Sequence, residues 1–248
     1  MDATIVFLGT GAAGGTPGPP ERTESSAAIV APGTIILVDV TTHFDRQVSR
    51  LPGPPDAVVL THAHRDASGG IPRLRRHWLA WRRPPIPTFA SAAAIDVVRR
   101  RHRRLDHLDL RPVDDDETVT IGPWLARPRT VPHARDPRFP TYAWRLDGPS
   151  GVVYASDISR LTDRLEELVE GAELLVLDGA SWGHRIPNHL RIDADLPVAC
   201  SWRVGRILLT QLGRNVPGDL ETAVTRLCPR ARPARDGLVV VLDGGRRQ

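Results

Sequence analysis

The chain alternates short apolar runs with longer segments whose apolar residues recur at helical spacing. Apolar runs that end in loop residues, several of them rich in β-branched side chains, predict strands at 4–8, 34–40, 57–60, 118–125, 142–146, 152–155, 174–177, 207–209 and 238–242. Helical patterns, most of them opened by Ser, Asp, Thr or Pro, predict helices at 73–82, 91–101, 161–170, 193–202 and 219–227. The strands form two groups of about five or six, so we expect two packed sheets flanked by helices.

The length of 248 residues predicts a single α/β domain over 1–248 with one substantial core. Pro- and Gly-rich segments at 16–20 and 52–55 are too short for linkers and are predicted to be loops. No run approaches the roughly 18 apolar residues of a membrane span, and the N-terminus lacks the features of a secretory signal, so we expect a cytoplasmic protein with no membrane contact. Cys200 and Cys228 are predicted to be core thiols.

All 33 basic residues are arginine, and their charge is unevenly distributed. Segment 71–104 holds ten arginines and the single acid Asp96, a local net charge of +9 in a chain whose total is +4. Trp78 and Trp81 lie within this segment. Basic residues with interleaved aromatics could bind an anionic strand or substrate, but the solvated faces of two helices have the same composition. We favour the solvated faces.

A glycine motif near the N-terminus has the spacing of a dinucleotide-binding loop. Gly9, Gly11 and Gly14 follow a predicted strand, and Asp39 ends another strand at a suitable distance. That function requires a helix to continue from the third glycine, because the helix N-terminus holds the pyrophosphate. Three prolines and two glycines within 15–20 prevent such a helix. The glycines are therefore predicted to form a tight loop bordering an active site.

Candidate metal ligands stand at the ends of successive predicted strands. His62 and His64 directly follow one strand, and residues i and i+2 of an extended segment project to the same side. His133 ends a later apolar segment, and Asp157 closes another strand. Three imidazoles and one carboxylate make a four-ligand shell that suits zinc better than magnesium or calcium, with manganese and iron as alternatives. The pattern predicts one divalent transition metal.

The sequence resembles the metallo-β-lactamase superfamily, whose signature is H-x-H-x-D-H after a strand, then a later His, a later Asp and a last His. Residues 7–11 resemble its opening strand and loop, residues 36–39 its next strand, and the Asn188-His189 pair one found in the PhnP-like cyclic phosphodiesterase branch. The resemblance implies an αββα sandwich of two packed mixed β-sheets flanked by helices, with the metal site at one edge. Residues 16–26 lack the cysteine-rich insertion common in that branch.

The sequence departs from this signature at two positions, Ala67 and Gln211, where the superfamily has histidines. The resemblance implies a first metal held by His62, His64, His133 and Asp157. It implies a second metal held by Asp66, position 67, Asp157 and position 211. Both departures fall on the second set, so we expect a mononuclear site.

Two further residues are candidates for catalysis. Asp66, free of metal in a mononuclear site, could accept a hydrogen bond from the nucleophilic water or act as a base, or it could orient His64. The resemblance places His189 where it can protonate a leaving oxygen, and the alternative is a histidine at the start of the following helix. The remaining histidines are predicted to be surface residues: His43, His77, His102, His107 and His184.

These observations favour a metal-dependent hydrolase that cleaves a small, anionic phosphodiester, ester or lactone. An inactive binding protein with the same fold is the first alternative, supported by the incomplete second site. An RNase Z-like nuclease is the second, although no long insertion is present to grip RNA, so a nucleic-acid partner is not expected. Iron in the same shell would instead allow oxidative chemistry. The sequence leaves a homo-oligomer open.

Overall fold

The computed structural model describes residues 3–18, 21–134, 136 and 139–242. Two seven-stranded sheets form the centre of the molecule. The first has the order β14-β1-β2-β3-β4-β5-β6, with β1 Ala3–Gly9, β2 Ser26–Ala31, β3 Thr34–Val38, β4 Ala57–Val59, β5 Ile86–Ala90, β6 Leu108–Pro112 and β14 Val239–Leu242. The second has the order β13-β12-β11-β10-β9-β8-β7, with β7 Val119–Ile121, β8 Trp124–Val131, β9 Thr141–Asp147, β10 Gly151–Ala155, β11 Leu174–Asp178, β12 Arg206–Thr210 and β13 Ala231–Pro233.

Both sheets are mixed. In the first, β14 to β3 pair antiparallel and β3 to β6 pair parallel. In the second, β7 to β10 pair antiparallel and β10 to β13 pair parallel. Parallel neighbours need crossover connections, which the helices provide.

The helices lie between the strands in sequence: α1 Phe44–Gln47, a 3-10 helix Val48–Arg50, α2 Arg65–Ser68, α3 Ile71–Trp81, α4 Ala92–Arg101, α5 Asp163–Val169, α6 Ile192–Ala199 and α7 Leu220–Leu227. Three of them begin with a side-chain cap, in which Ser91, Thr162 and Asp219 accept hydrogen bonds from backbone N–H groups of the first turn. Most of the helix boundaries predicted from the sequence lie within one to two residues of these.

Three apolar clusters define the layers. The first lies between the sheets and contains Phe7 and Tyr154 with the buried Trp124 and Trp144. The second packs α5, α6 and α7 onto the outer face of the second sheet, and the third packs α3 and α4 onto the outer face of the first. The layers confirm the predicted αββα sandwich of two mixed sheets.

The sequence missed some strands and merged others. The predicted strand 118–125 is the hairpin of β7 and the start of β8, because Gly122, with φ of 56°, turns the chain between them. Strands β2, β5, β6 and β13 were not predicted. Their sequences are rich in alanine or interrupted by proline and charge, so they lack the β-branched runs that indicate a strand.

The prediction that Cys200 and Cys228 are core thiols is wrong, because the two residues form a disulfide. Cys200 directly follows α6 and Cys228 directly follows α7, and their Cα atoms lie 5.7 Å apart. The two helices pack on the same sheet face, which brings ends separated by 28 residues of sequence together.

The helices that the structure describes are all too short or too polar to span a bilayer.

Candidate metal centre

The motif of residues 60–66 connects the end of β4 to α2 at one edge of the first sheet. His62 is buried and His64 is half-buried, and their ring centroids lie 4.7 Å apart. Gly70 follows the motif and packs so closely on the preceding loop that a Cβ atom there would lie 1.8 Å from the Thr41 carbonyl oxygen. This close packing fixes the position of α2 relative to the loop after β3.

His133 lies two residues beyond β8 and brings a third imidazole from the second sheet. Its ring centroid is 5.1 Å from that of His62 and 5.4 Å from that of His64. One nitrogen of each ring lies within 4.8 Å of the others, so the three could hold one metal ion. The buried Nε2 of His62 has no hydrogen-bond partner in the described part of the chain, as expected of a lone pair reserved for a metal.

Hydrogen bonds orient two of these rings. The Nδ1 of His133 donates to the backbone oxygen of Asn188 at 2.8 Å, which leaves its Nε2 as the nitrogen with a free lone pair. The Nδ1 of His62 lies 2.9 Å from the hydroxyl of Thr61, which donates in turn to Asp39 at 2.8 Å. Such outer contacts hold metal-binding imidazoles in one tautomer and orientation.

Asp157, two residues beyond β10, is buried beside the three imidazoles. A carboxylate oxygen of Asp157 lies within 4.8 Å of ligand atoms in two further groups, one with His62 and Asp66 and one with His133 and His189. Burial raises the pKa of Asp157, but the nearby His62 and His133 outweigh this effect and lower it. The four predicted ligands therefore fall in overlapping groups: the three imidazoles form one, and Asp157 joins His62 in a second and His133 in a third.

The positions that the resemblance assigns to a second metal lie on the other side of Asp157. Asp66 Oδ1 lies 3.8 Å from His62 Nε2, and burial followed by the charge of Asp157 raises the pKa of Asp66. Ala67 is buried and offers no side-chain donor. The amide nitrogen of Gln211 donates to Asp157 Oδ1 at 2.5 Å, and the buried Gln211 Oε1 has no partner among the described residues.

His189 forms a partly buried ion pair with Asp178, a residue that the sequence analysis missed. Its Nδ1 donates to Asp178 Oδ2 at 2.7 Å, and its ring centroid lies 5.1 Å from that of His133. Burial disfavours the charged ring, but Asp178 outweighs this effect and raises the pKa of His189 to about 9. Asp178 is the last residue of β11. The sequence signal that could have indicated Asp178 is an acid at the end of an apolar strand. Asp39, directly after β3, is a second example.

Backbone strain concentrates at this edge of the sandwich. Five described non-glycine residues have positive φ, and three of them contribute to the cluster: Asp39 at 61°, Asn188 at 67° and Gln211 at 58°. Left-handed backbone is uncommon for residues other than glycine and occurs often at functional sites.

The prediction that the remaining histidines lie on the surface is wrong for His102 and His107. Both are buried, and each donates from Nε2 to a backbone oxygen, of Ser68 at 3.2 Å and of Ile71 at 3.1 Å. They link α4 and the loop after it to the segment that follows the metal motif. His43 and His77 are half-buried, and His184 is exposed as predicted.

A cleft of about 630 Å³ opens over the cluster. Its lining includes Ala13 and Gly14 of the glycine loop, which therefore borders the candidate site as predicted, and the described residues 15–18 form no helix. The other lining residues are Glu24, Thr42, His64, Arg65, Asp66, Arg73, His133, Asp157, Asn188 and His189. A cleft of this volume suits a small molecule.

Much of the arginine-rich segment is used within the fold. Arg101 donates to the Ala63 carbonyl and the Ser68 hydroxyl and so supports the metal motif. The carboxylate pairs are Arg73 and Arg76 with Asp45, Arg75 with Asp106, and Arg83 with Asp56. These contacts favour helix faces in water over a continuous surface for nucleic acid.

Solved structures of known proteins share this fold. A diphosphatase from the PhnP family superposes with a TM-score of 0.86 at 22% identity, covering 98% of both chains. The short form of human tRNase Z superposes with a TM-score of 0.75 at 19% identity, covering 96% of this chain and 98% of the other. At these identities the likeness shows the fold alone.

Sequence comparison identifies a curated relative and the family to which the chain belongs. An octanoyltransferase from Porphyromonas gingivalis is 24% identical over 235 residues, which are 90% of this chain but 46% of that protein, so the chain spans about half the length of this relative. The sequence profile described as the beta-lactamase superfamily domain matches residues 34–210. The chain therefore belongs to the metallo-β-lactamase superfamily.

Proposed function

We propose that the protein is a metal-dependent hydrolase that uses one metal ion to cleave a small anionic ester, with phosphodiesters the leading substrate class. The observation that carries this proposal is the convergence of His62, His64 and His133 beneath an open cleft, with the buried Nε2 of His62 lacking a partner among the described residues.

His62, His64, His133 and Asp157 would hold the metal. The donor set fits zinc, since three imidazole nitrogens and one carboxylate oxygen are ligands that zinc accepts and that magnesium and calcium do not favour. When bound, a divalent transition metal supplies Lewis acidity, which polarises an ester oxygen and acidifies water near neutral pH.

The residues of the chain supply the rest of the reaction. His189 lines the cleft, and its bond to Asp178 leaves Nε2 as the atom that can carry a proton to a leaving oxygen. Asp66 lines the same cleft and provides carboxylate oxygens that can accept a hydrogen bond from the attacking water.

The overlap between the groups of candidate ligands supports a single metal. His62, His133 and Asp157 each belong to two of the three groups, and each imidazole has one nitrogen to offer. Once one ion takes the three imidazoles, the described groups retain Asp66, Asp157 and His189, and His189 is engaged with Asp178. Gln211 adds to this argument, because its N–H group, not a lone pair, points at Asp157.

The proposal shares phosphoryl chemistry with the activity named for one relative, the PhnP-family diphosphatase. It does not include octanoyl transfer, because this chain spans 46% of the octanoyltransferase. The second candidate is a binding protein without turnover. Ala67 and Gln211 favour it, since the resemblance assigns metal-ligating histidines to these two positions.

A metal analysis combined with a substrate screen tests the proposal. The purified protein, loaded with zinc, manganese or iron, is assayed on cyclic and linear phosphodiesters, phosphonate esters, lactones and a precursor tRNA. We expect zinc-dependent cleavage of a small phosphodiester that is lost in His64→Ala and kept in His184→Ala. Bound metal without turnover on any compound would favour the binding protein, and cleavage of tRNA alone would favour a nuclease.

A further inference from the structure

Two arginines line the candidate cleft together with the metal motif. Arg65 begins α2 immediately after His64, and Arg73 lies on the first turn of α3. Arg65 is exposed and makes no ion pair with any residue that the structure describes. Arg73 is 40% exposed, and its described ion pair is a 3.4 Å contact from Nε to Asp45. Both guanidinium groups therefore have N–H donors to spare.

The carboxylates nearby are already engaged. Glu24 accepts hydrogen bonds from the Gly14 N–H and from the N–H and hydroxyl of Thr42, so it joins two loops and does not face the arginines as a free charge. Asp45 also pairs with Arg76 and His77. The other two acids of the lining, Asp66 and Asp157, belong to the candidate metal centre.

A third arginine increases the local positive charge. Arg101 donates to the backbone of the metal motif, and burial and then the adjacent charge of Arg65 lower the pKa of Arg101. Arg65 and Arg73, with free donors at the wall of the cleft, give the arrangement expected for recognition of an anion, because a guanidinium fork matches the oxygens of phosphate and carboxylate.

We propose that Arg65 and Arg73 form an anion subsite that selects substrates bearing a second anionic group, phosphate or carboxylate, in addition to the ester that reaches the histidines. This inference rests on the proposed function, because it assigns the reacting ester to the histidine cluster. The volume of about 630 Å³ leaves room for a molecule that spans both positions. Esters and alkyl phosphates that lack a second anionic group would occupy the cleft without engaging the arginines.

Matched alkyl phosphates test the subsite by binding alone. Propyl and hexyl phosphates are compared with analogues whose other end carries a carboxylate or a second phosphate, by calorimetry on the zinc-loaded protein. We expect the bisphosphate of one chain length to bind at least tenfold more tightly than the alkyl phosphate. The carboxylate analogue shows which anion the arginines prefer.

The variant Arg65→Gln with Arg73→Gln should reduce this preference to about twofold or less and leave the affinity for the alkyl phosphate unchanged. Arg99→Gln with Arg100→Gln is the control, since both residues are exposed on α4 and neither lines the cleft. Equal affinities in the wild type, or a preference kept in the first variant, would overturn the subsite. Absence of hydrolysis with the binding pattern intact would instead count against the proposed function.

Discussion

The two sides of Asp157 differ in what they present to a metal ion. On one side, His62, His64 and His133 converge, and hydrogen bonds to Thr61 and Asn188 turn ring nitrogens toward a common point. The other side also contains acidic and polar side chains, but they face one another. Capacity for a metal therefore depends on the direction of lone pairs and not on the number of polar residues present.

On the second side, both carboxylate oxygens of Asp157 already accept hydrogen bonds within the chain. Asp157 accepts hydrogen bonds from Gln211 on Oδ1 and from Ser156 on Oδ2, both at 2.5 Å. A second ion at Asp157 would displace the Gln211 bond and leave a buried N–H group unpaired, at a cost of about 1–3 kcal/mol. Three predictions test the difference between the two sides, and a fourth compares the cluster with a buried histidine outside it.

The largest effect should come from removing a ligand on the first side. His62→Ala or His64→Ala should lower the metal content well below one per chain and abolish hydrolysis, because each change removes one of the three imidazoles that converge on the site. Elemental analysis of purified variants measures this. His184 is exposed, so His184→Ala should keep its metal. Equal metal contents in all three variants would show that the ligands are misassigned.

His189 tests whether proton delivery is separate from metal binding. His189→Gln should keep the metal and lower kcat by about 100-fold or more, since general acid catalysis contributes about 10²–10⁴. Asp178→Asn should lower kcat in the same direction, because it weakens the contact that orients the ring. His184→Gln, in the same loop, is the control. Loss of metal in His189→Gln would make this residue a ligand instead.

The second side can be rebuilt. Ala67→His combined with Gln211→His should complete a shell with Asp66 and Asp157 and raise the metal content toward two, and either change alone should do less. If the native protein is adapted to one metal, the double variant should also lose turnover on its own substrate. A double variant that still binds one ion would contradict the assignment of positions 67 and 211 to a second site.

The smallest effect concerns a buried histidine outside the cluster. Burial lowers the pKa of both His62 and His107 to about 4, but His107 donates to Ile71 and belongs to none of the described groups of potential ligands. In the unfolded chain the pKa is about 6.5, so the folded state gains stability from the neutral ring above pH 6.5 and loses it as the pH falls toward 4.

Urea unfolding between pH 7 and 4 measures this effect. The contribution of His107 approaches about 3 kcal/mol at the acidic end, and His107→Gln should make the pH dependence correspondingly shallower. His184→Gln should leave it unchanged. Zinc should stabilise the wild type and His107→Gln alike, because this residue takes no part in the metal site, and an unchanged slope in His107→Gln would contradict the assignment.

The sequence predicted the layers of the fold and the cluster because both depend on local patterns. His62 and His64 have the two-residue spacing of an extended segment, and each predicted ligand follows an apolar run. Asp178 was missed because a single acid at a strand end has no distinguishing spacing. The Cys200–Cys228 disulfide was missed because it depends on how two helices pack, and that packing leaves no pattern within either helix. The burial of His102 and His107 was hidden by the arginines around them.

The central claim is that the native centre holds one metal ion. The most direct test is elemental analysis of the wild-type protein, expressed with zinc and dialysed against excess zinc and then metal-free buffer, with the chain concentration fixed by amino-acid analysis. The account predicts one equivalent per chain, because the ligands of the first side retain their ion and the second side offers too few donors. Two equivalents, or none, would contradict it.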